Sequence, residues 1–284
     1  MTSLAAAREF VLREARLVER RLFSTLFYGA SAAGVVRAVR AYQNDDGGLG
    51  HALEPDVRSP DSQPLFVGFG LTILAAVDAR DDDLLTGCCE FLETVADERG
   101  AVPMILPTAA GVPRAEHWVN TRLPPSLQPT IAIAASLHAL GFTHRWLERA
   151  TDYCLAELRS GPEPEVHLLR EILRFLDVVD EPTLRDRAAA AVPGADDLKV
   201  DPASTDYGLT PIQMAPTPTW ARELFPTDQL DAHLDALERA QRDDGGWPLD
   251  WDPPSAAARL EWRGQRTLEA LQILRAYDRL PQAP

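Results

Sequence analysis

Apolar residues recur at helical spacing along the whole chain, and no segment alternates apolar and polar residues as a strand would. One class of segment is amphipathic. In residues 227–241, Leu230, Leu234 and Leu237 form an apolar stripe, and acidic residues lie on the opposite side. Residues 84–96, 145–158 and 166–179 follow the same pattern, so each predicts a helix with one face towards solvent.

A second class of segment is apolar nearly all round, and comprises residues 65–77 and 130–142. A helix without a polar face must be enclosed by other helices. Amphipathic outer helices around apolar inner helices satisfy both patterns, which predicts an all-α ring of helical hairpins. We expect one domain over residues 1–284, with an N-terminal amphipathic helix over residues 3–23 packing on the ring.

The turns between these helices repeat. Residues 43–50 read QNDDGGLG and residues 241–247 read QRDDGGW, and each run follows an amphipathic helix and precedes an apolar one. A weaker copy begins at Asp97. Glycine permits the left-handed turn after a helix, and aspartate caps the adjoining backbone donors. We therefore predict structural roles for Gln43, Asp45, Gly47, Gln241, Asp243, Gly245 and Trp247.

The spacing of Gln241, Gly245 and Trp247 resembles the QW repeat of the terpenoid cyclase and protein prenyltransferase superfamily. Residues 43–49 match the same spacing, with Leu49 in place of the tryptophan. The resemblance extends over roughly residues 25–280 and is greatest to single-domain bacterial proteins with prenyltransferase or squalene-oxidase repeats. It implies an α/α toroid and an apolar, isoprenoid-like substrate.

The best-known catalytic motifs of that superfamily are missing from the sequence. No D-x-D-D motif is present to supply the proton of a class II cyclase, and no D-D-x-x-D motif is present to hold magnesium. The Asp, Cys and His set of the zinc prenyltransferases is also missing. The resemblance therefore implies a fold more strongly than it implies a reaction.

The net charge and the cysteine content limit which partners and which cellular compartment we expect for the protein. With 28 Lys and Arg against 43 Asp and Glu, the formal net charge is −15, which repels nucleic acid and anionic lipid. The longest apolar runs fall short of the ~18 residues that a membrane span needs. Three cysteines, two of them adjacent at Cys88 and Cys89, fit a reducing compartment, so we expect a cytoplasmic protein that acts on a small molecule.

Four loops rich in proline and aromatic residues lie between outer and inner helices, at residues 51–63, 107–128, 201–220 and 248–263. We expect them to form a carboxylate-lined mouth above an apolar cavity. The candidate catalytic residues are His51, Glu54, Asp56 and Asp61, with one of the three carboxyl groups as a general acid. The candidate substrate-binding residues are Gln63, Trp118, Asn120, Tyr207, Gln213, Trp262 and Arg263. The alternative is a solvated rim of internal salt bridges.

No other histidine, His117 included, receives a role from the sequence, and the spacing of His51, Glu54 and Asp56 matches no strong metal motif. We expect no cofactor, with magnesium needed only if the substrate is a diphosphate. The leading hypothesis is acid-initiated cyclisation or isomerisation of an isoprenoid or another apolar small molecule. Two alternatives stay open: a carbohydrate-active hydrolase or lyase, and a non-catalytic binding or scaffold protein.

Overall fold

The computed structural model describes residues 2–161 and 164–280, and in this part of the chain the regular structure is helical, with four isolated β-bridges and no strand. The all-α prediction is confirmed. The helices are α1 (Leu4–Glu14), α2 (Leu17–Tyr28), α3 (Ala33–Arg40), α4 (Pro64–Ala75), α5 (Asp82–Val95), α6 (Leu127–Ala139), α7 (Arg145–Ser160), α8 (Val166–Val178), α9 (Pro182–Ala191), α10 (Pro211–Met214), α11 (Thr227–Arg239) and α12 (Ala256–Ala276).

The chain forms two compact units. Among the described residues, the first unit contains residues 2–28, 164–173 and 181–280, and the second contains residues 29–161 and 174–180. No helix in the described ranges combines the length and apolar character needed to cross a bilayer.

The second unit is built around the two predicted apolar helices. Helices α4 and α6 pack against each other, α3 lies on α4, and α7 lies between α6 and α5. Phe66 and Leu71 of α4 and Ile131 of α6 are fully buried. Neither α4 nor α6 has a polar face because each is covered by other helices, whereas α5 and α7 keep one polar side for solvent.

In the first unit, α1, α2 and α11 pack on the long helix α12. The sequence predicts one helix over residues 3–23, but the structure divides this segment at Ala15, whose backbone is extended. Gly264 of α12 packs directly against Ala15, since a Cβ added to Gly264 would be 2.7 Å from the Ala15 Cβ. The helix therefore breaks where α12 approaches most closely.

The two repeated turns have the same hydrogen bonds. The Gln43 side-chain amide donates to the Gly47 carbonyl (2.9 Å) and to the Leu84 carbonyl of α5 (3.3 Å). The Gln241 amide donates to the Gly245 carbonyl and to the Ser3 carbonyl, each at 2.9 Å. Each glutamine thus ties its turn to the start of another helix.

The second aspartate of each turn accepts a hydrogen bond from the backbone of that turn. Asp46 accepts from the Gly48 amide (3.0 Å), and Asp244 accepts from the Gly246 amide (3.1 Å). All four aspartates of the two turns are exposed, and the structural roles of Asp45 and Asp243 stay predictions. The second aspartate of each pair is the one that faces back into the turn, and only it reaches the amide two residues on.

Trp247 anchors the second turn in the core of the first unit. Its side chain is 1% exposed, its indole N–H donates to the Leu237 carbonyl (2.8 Å), and its backbone amide donates to Thr267 Oγ1 (3.1 Å). Leu49, the matching residue of the first turn, is fully buried in the second unit. Both turns therefore place a large apolar residue inside the unit that carries them.

Candidate functional site

In the second unit the loop 51–63 is hydrogen-bonded to the loop that precedes α6. The Arg58 amide donates to the Pro113 carbonyl (2.9 Å), and the Ala115 amide donates to the Asp56 carbonyl (2.8 Å). Val57 and Arg114 form an isolated antiparallel bridge between these two bonds. The structure therefore brings together two of the four loops that the sequence singles out.

Asp56 lies at the centre of this pairing. Its side chain is only 5% accessible, and its neighbour Glu54 is also buried. The Asp56 amide donates to Glu54 Oε2 (3.0 Å), so both backbone polar groups of Asp56 are held in place. Asp56 Oδ2 lies 3.8 Å from the Nε2 atom of His117. The buried Asp56 carboxyl group thus lies near an exposed histidine, and the buried Glu54 side chain holds the Asp56 backbone.

His117 and Trp118 lie in the loop that pairs with residues 51–63. The His117 side chain is 57% accessible, and its ring lies 4.9 Å from the ring of Trp118. The buried Trp118 Nε1 has no hydrogen-bond partner among the described residues. The sequence assigns His117 no role. Its place beside Trp118 in a proline-rich loop is the one signal that the sequence offers, because the contact with Asp56 depends on the pairing of the two loops.

His51, Asp61 and Asn120 are exposed members of the predicted set in this unit. His51 and Ala52 have φ angles of +58° and +57°, a left-handed conformation that is uncommon for residues with a Cβ. Strain of this kind is often kept at functional sites. The Asn120 side chain accepts from the Arg122 amide (3.0 Å), which closes a local turn.

Gln63 is fully buried at the start of α4. Its amide donates to Thr108 Oγ1 (2.9 Å), and its carbonyl accepts from the Leu106 amide (2.7 Å). Both ends of the side chain are therefore engaged in joining α4 to the loop before α6. Gln63 is the last residue of loop 51–63, which we call the acidic loop. Its two hydrogen bonds therefore hold the end of the acidic loop in place.

The other predicted residues lie in the first unit. Tyr207 is 57% exposed, and its ring lies 5.5 Å from the ring of His167. Gln213 is largely buried; its carbonyl accepts from the Thr210 amide (3.1 Å), and its amide donates to Glu269 Oε1 (3.4 Å).

Trp262 and Arg263 lie at the end of the second turn of α12. The Trp262 ring packs edge-on against Trp251, with the ring centres 5.2 Å apart. Arg263 holds the repeated turn: it donates to both carboxylate oxygens of Asp244 (2.7 and 2.8 Å) and to the Trp247 carbonyl (3.1 Å). Its guanidinium also lies 4.6 Å from the ring centre of Phe10. The guanidinium is thus committed to protein partners.

Comparison with known proteins gives the fold. No protein-family model and no curated protein matches the sequence. The crystal structure of a protein from Actinoplanes is similar over 96% of this chain and 99% of that chain, at 18% identity and a TM-score of 0.61. An arginine-to-alanine variant of the type II terpene cyclase MstE from Scytonema, in complex with its substrate geranylgeranyl dihydroxybenzoate, is similar over 95% and 96%, at 14% identity and a TM-score of 0.56.

The chain therefore has the all-helical fold of a type II terpene cyclase, which confirms the predicted fold class. At this level of identity a shared fold leaves the reaction open, because one fold serves many chemistries.

Proposed function

We propose that this chain is a terpene-cyclase-like enzyme and that Asp56 is its general acid. Asp56 would protonate a double bond or an epoxide of an isoprenoid or another apolar small molecule, and the resulting cation would cyclise or rearrange. The cation would finally lose a proton to solvent, so that the product is an isomer of the substrate. The observation that carries the proposal is the burial of Asp56 beside Glu54, within 3.8 Å of the exposed His117.

The position of Asp56 suits it to this role, because its side chain is buried and lies 3.8 Å from His117. An acid that starts such a reaction must carry a proton and must reach the substrate away from bulk water. Among the three candidate acids, Asp61 is exposed, and Glu54 uses Oε2 to hold the Asp56 amide. Asp56 is therefore the carboxyl group we assign to proton transfer.

His117 offers a route for the next proton. After each turnover Asp56 would be left as a carboxylate and must regain a proton from solvent. The His117 side chain is more than half accessible and lies beside the Asp56 carboxylate, so it can carry a proton from water to a buried acid.

The apolar helix that follows the loop supports an apolar substrate. α4 starts at Pro64, directly after the acidic loop, and packs against α6, the second apolar helix. Apolar side chains would suit a carbocation because they offer no nucleophile to quench it, and they would suit an isoprenoid chain by burying its surface. The shared fold with a type II terpene cyclase points to the same class of substrate.

A ligand screen followed by product analysis tests the proposal. Polyprenyl diphosphates and squalene-like lipids form one panel and oligosaccharides a second, each with and without magnesium. A ligand at a hundredfold excess over its dissociation constant adds about 2.7 kcal/mol of stability, which corresponds to a rise in Tm of roughly 5–10 °C. A rise with the first panel is expected, and a rise with sugars in the absence of any rise with the first panel would favour the carbohydrate hypothesis.

Single substitutions then locate the acid. Asp56→Asn should abolish product formation with a small change in Tm, and the matched change Asp83→Asn, at a carboxylate that is 97% accessible, should leave product formation intact. Product lost in Asp61→Asn but kept in Asp56→Asn would move the acid to Asp61. Isoprenoid binding without any product would favour the binding-protein alternative.

A further inference from the structure

A polar stripe runs along one face of α12 in the first unit. Trp262, Arg266 and Glu269 occur at helical positions i, i+4 and i+7, which places them on the same side of the helix. Arg266 donates to Glu269 Oε2 (2.5 Å), while Gln213 donates to Glu269 Oε1 (3.4 Å). Both oxygens of the carboxylate are therefore oriented by neighbouring side chains.

Two residues of α8 complete a balanced set of charges. Arg170 Nη2 lies 2.9 Å from Glu171 Oε1, and Glu269 also attracts the Arg170 guanidinium. With Arg266, these four side chains carry two positive and two negative charges, and Glu165 and Asp250 also attract Arg170 and Arg266, respectively. An additional unpaired charge in such a place would be costly, because it would be desolvated without a partner.

These groups combine strong desolvation with remaining access to water. Desolvation is the largest influence on the pKa of Glu269 and would raise it, but the attraction of Arg266 holds that pKa below its ordinary value. Even so, the Glu269 side chain is 35% accessible, Arg170 31% and Arg266 18%. All three side chains are therefore partly covered by protein and still within reach of a ligand from solvent.

His167 adds an unused hydrogen-bonding atom to this neighbourhood. Its buried Nε2 has no hydrogen-bond partner among the described residues, and its ring packs on Tyr207. Desolvation and the nearby Arg170 lower the pKa of His167, so the ring is neutral at neutral pH. A neutral imidazole nitrogen can either donate or accept, depending on its tautomer.

We propose that this face of α12, with Arg170 and His167 of α8, binds a neutral ring that carries adjacent hydroxyl groups. Each hydroxyl is both a donor and an acceptor, so it can donate to Glu269 and accept from a guanidinium without adding charge. The edge-on pair of Trp251 and Trp262 supplies an aromatic surface one turn away for the face of the ring. A sugar and an aromatic diol both present this chemistry.

This site is independent of the acid proposed at Asp56, because its residues all belong to the first unit and those of the acidic loop to the second. Loss of one function would leave the other measurable. Asp56→Asn should abolish product formation and leave this binding unchanged.

The test is a titration of the full chain with glucose, cellobiose, myo-inositol and catechol, with tryptophan fluorescence and calorimetry as the readouts. We expect saturable binding of at least one probe. Binding of glucose, cellobiose or myo-inositol would identify the ligand as a sugar or a related polyol, and binding of catechol would identify it as an aromatic diol. Glu269→Gln should weaken binding about tenfold or more, as expected for the loss of a charge-assisted hydrogen bond. Arg259→Gln is the matched control, because Arg259 lies on α12 in an exposed ion pair with Asp252.

A second variant guards against misfolding, since Glu269→Gln removes the partner of Arg266. His167→Gln keeps a polar side chain at the proposed binding face and should also weaken binding, with an unchanged Tm. The proposal is overturned if none of the four probes binds saturably. It is equally overturned if His167→Gln and a folded Glu269→Gln both bind as tightly as the Arg259→Gln control.

Discussion

Gly245 and Gly47 show how single residues fix the approach of a helix. Gly245 has a φ of +94°, and a Cβ there would lie 2.1 Å from the Ala6 carbonyl oxygen of α1. Gly47 has a φ of +82°, and its added Cβ would lie 2.5 Å from the Gly87 carbonyl oxygen of α5. Both positions combine a left-handed backbone with close contact to another helix, so glycine is required twice over.

Gly245→Ala should lower the free energy of unfolding by about 2–4 kcal/mol, because α1 must move and the backbone is strained. Urea denaturation measures the change. Gly194→Ala is the control in the same unit: a Cβ there meets nothing within 4 Å, and a change within about 0.5 kcal/mol is expected. Equal effects of the two substitutions would contradict the close packing of the turn on α1.

The three cysteines provide a second test at the residue scale. Cys88, Cys89 and Cys154 are free and fully buried, and desolvation raises the pKa of all three thiols, that of Cys89 to about 12. Because the thiolate is the reactive form, a thiol reagent at pH 8 should modify the native chain very slowly and all three thiols quickly in guanidinium. Rapid labelling of the native protein would show that α5 and α7 are less tightly packed than described.

The ion pair of Arg263 and Asp244 makes the second repeated turn sensitive to acid. Chiefly through its hydrogen bond, Arg263 lowers the pKa of Asp244. A lowered folded-state pKa adds stability above the unfolded-state value of about 3.9, and this stability is lost as the pH falls through the folded-state pKa. Asp244→Asn should therefore lower Tm near neutral pH, and the difference from the natural chain should shrink below about pH 4.

Thermal melts across that pH range measure the effect, with Asp243→Asn as the control because Asp243 is the exposed neighbour. A difference for Asp244→Asn that stays constant down to low pH would show that the pair contributes nothing through ionisation.

The positions of the helices are predictable from the sequence because helical periodicity is a local pattern. Periodicity predicts residues 227–241 and 145–158, and the structure has α11 at Thr227–Arg239 and α7 at Arg145–Ser160. The break at Ala15 was not predictable, since it depends on the approach of Gly264, 249 residues further along the chain. Periodicity carries no information about a contact between distant segments.

The candidate site was predictable in its residue types and not in its contacts. Composition alone draws attention to Glu54 and Asp56, but only the pairing of two loops places His117 beside them. In the same way, the sequence does not indicate whether a polar side chain in a loop will bind other protein groups or a ligand. Gln63 and Arg263 have protein partners throughout, which sequence reasoning could not foresee.

At the scale of the whole molecule, the chain shares an all-helical fold with a type II terpene cyclase and lacks the D-x-D-D motif by which such enzymes are usually identified. In the function proposed above, the buried Asp56 takes the place of that motif as the proton donor. The central claim is therefore proton transfer from Asp56 to the substrate.

Isotope incorporation tests this claim most directly. The chain is incubated in D₂O with the isoprenoid that gives the largest rise in Tm, and the product is analysed by mass spectrometry. Acid-initiated cyclisation adds a deuteron from exchanged Asp56 and releases a proton, so the product should be an isomer of the substrate carrying one added deuterium, and Asp56→Asn should form none. A product without deuterium, or labelled product formed equally well by Asp56→Asn, would contradict the assignment.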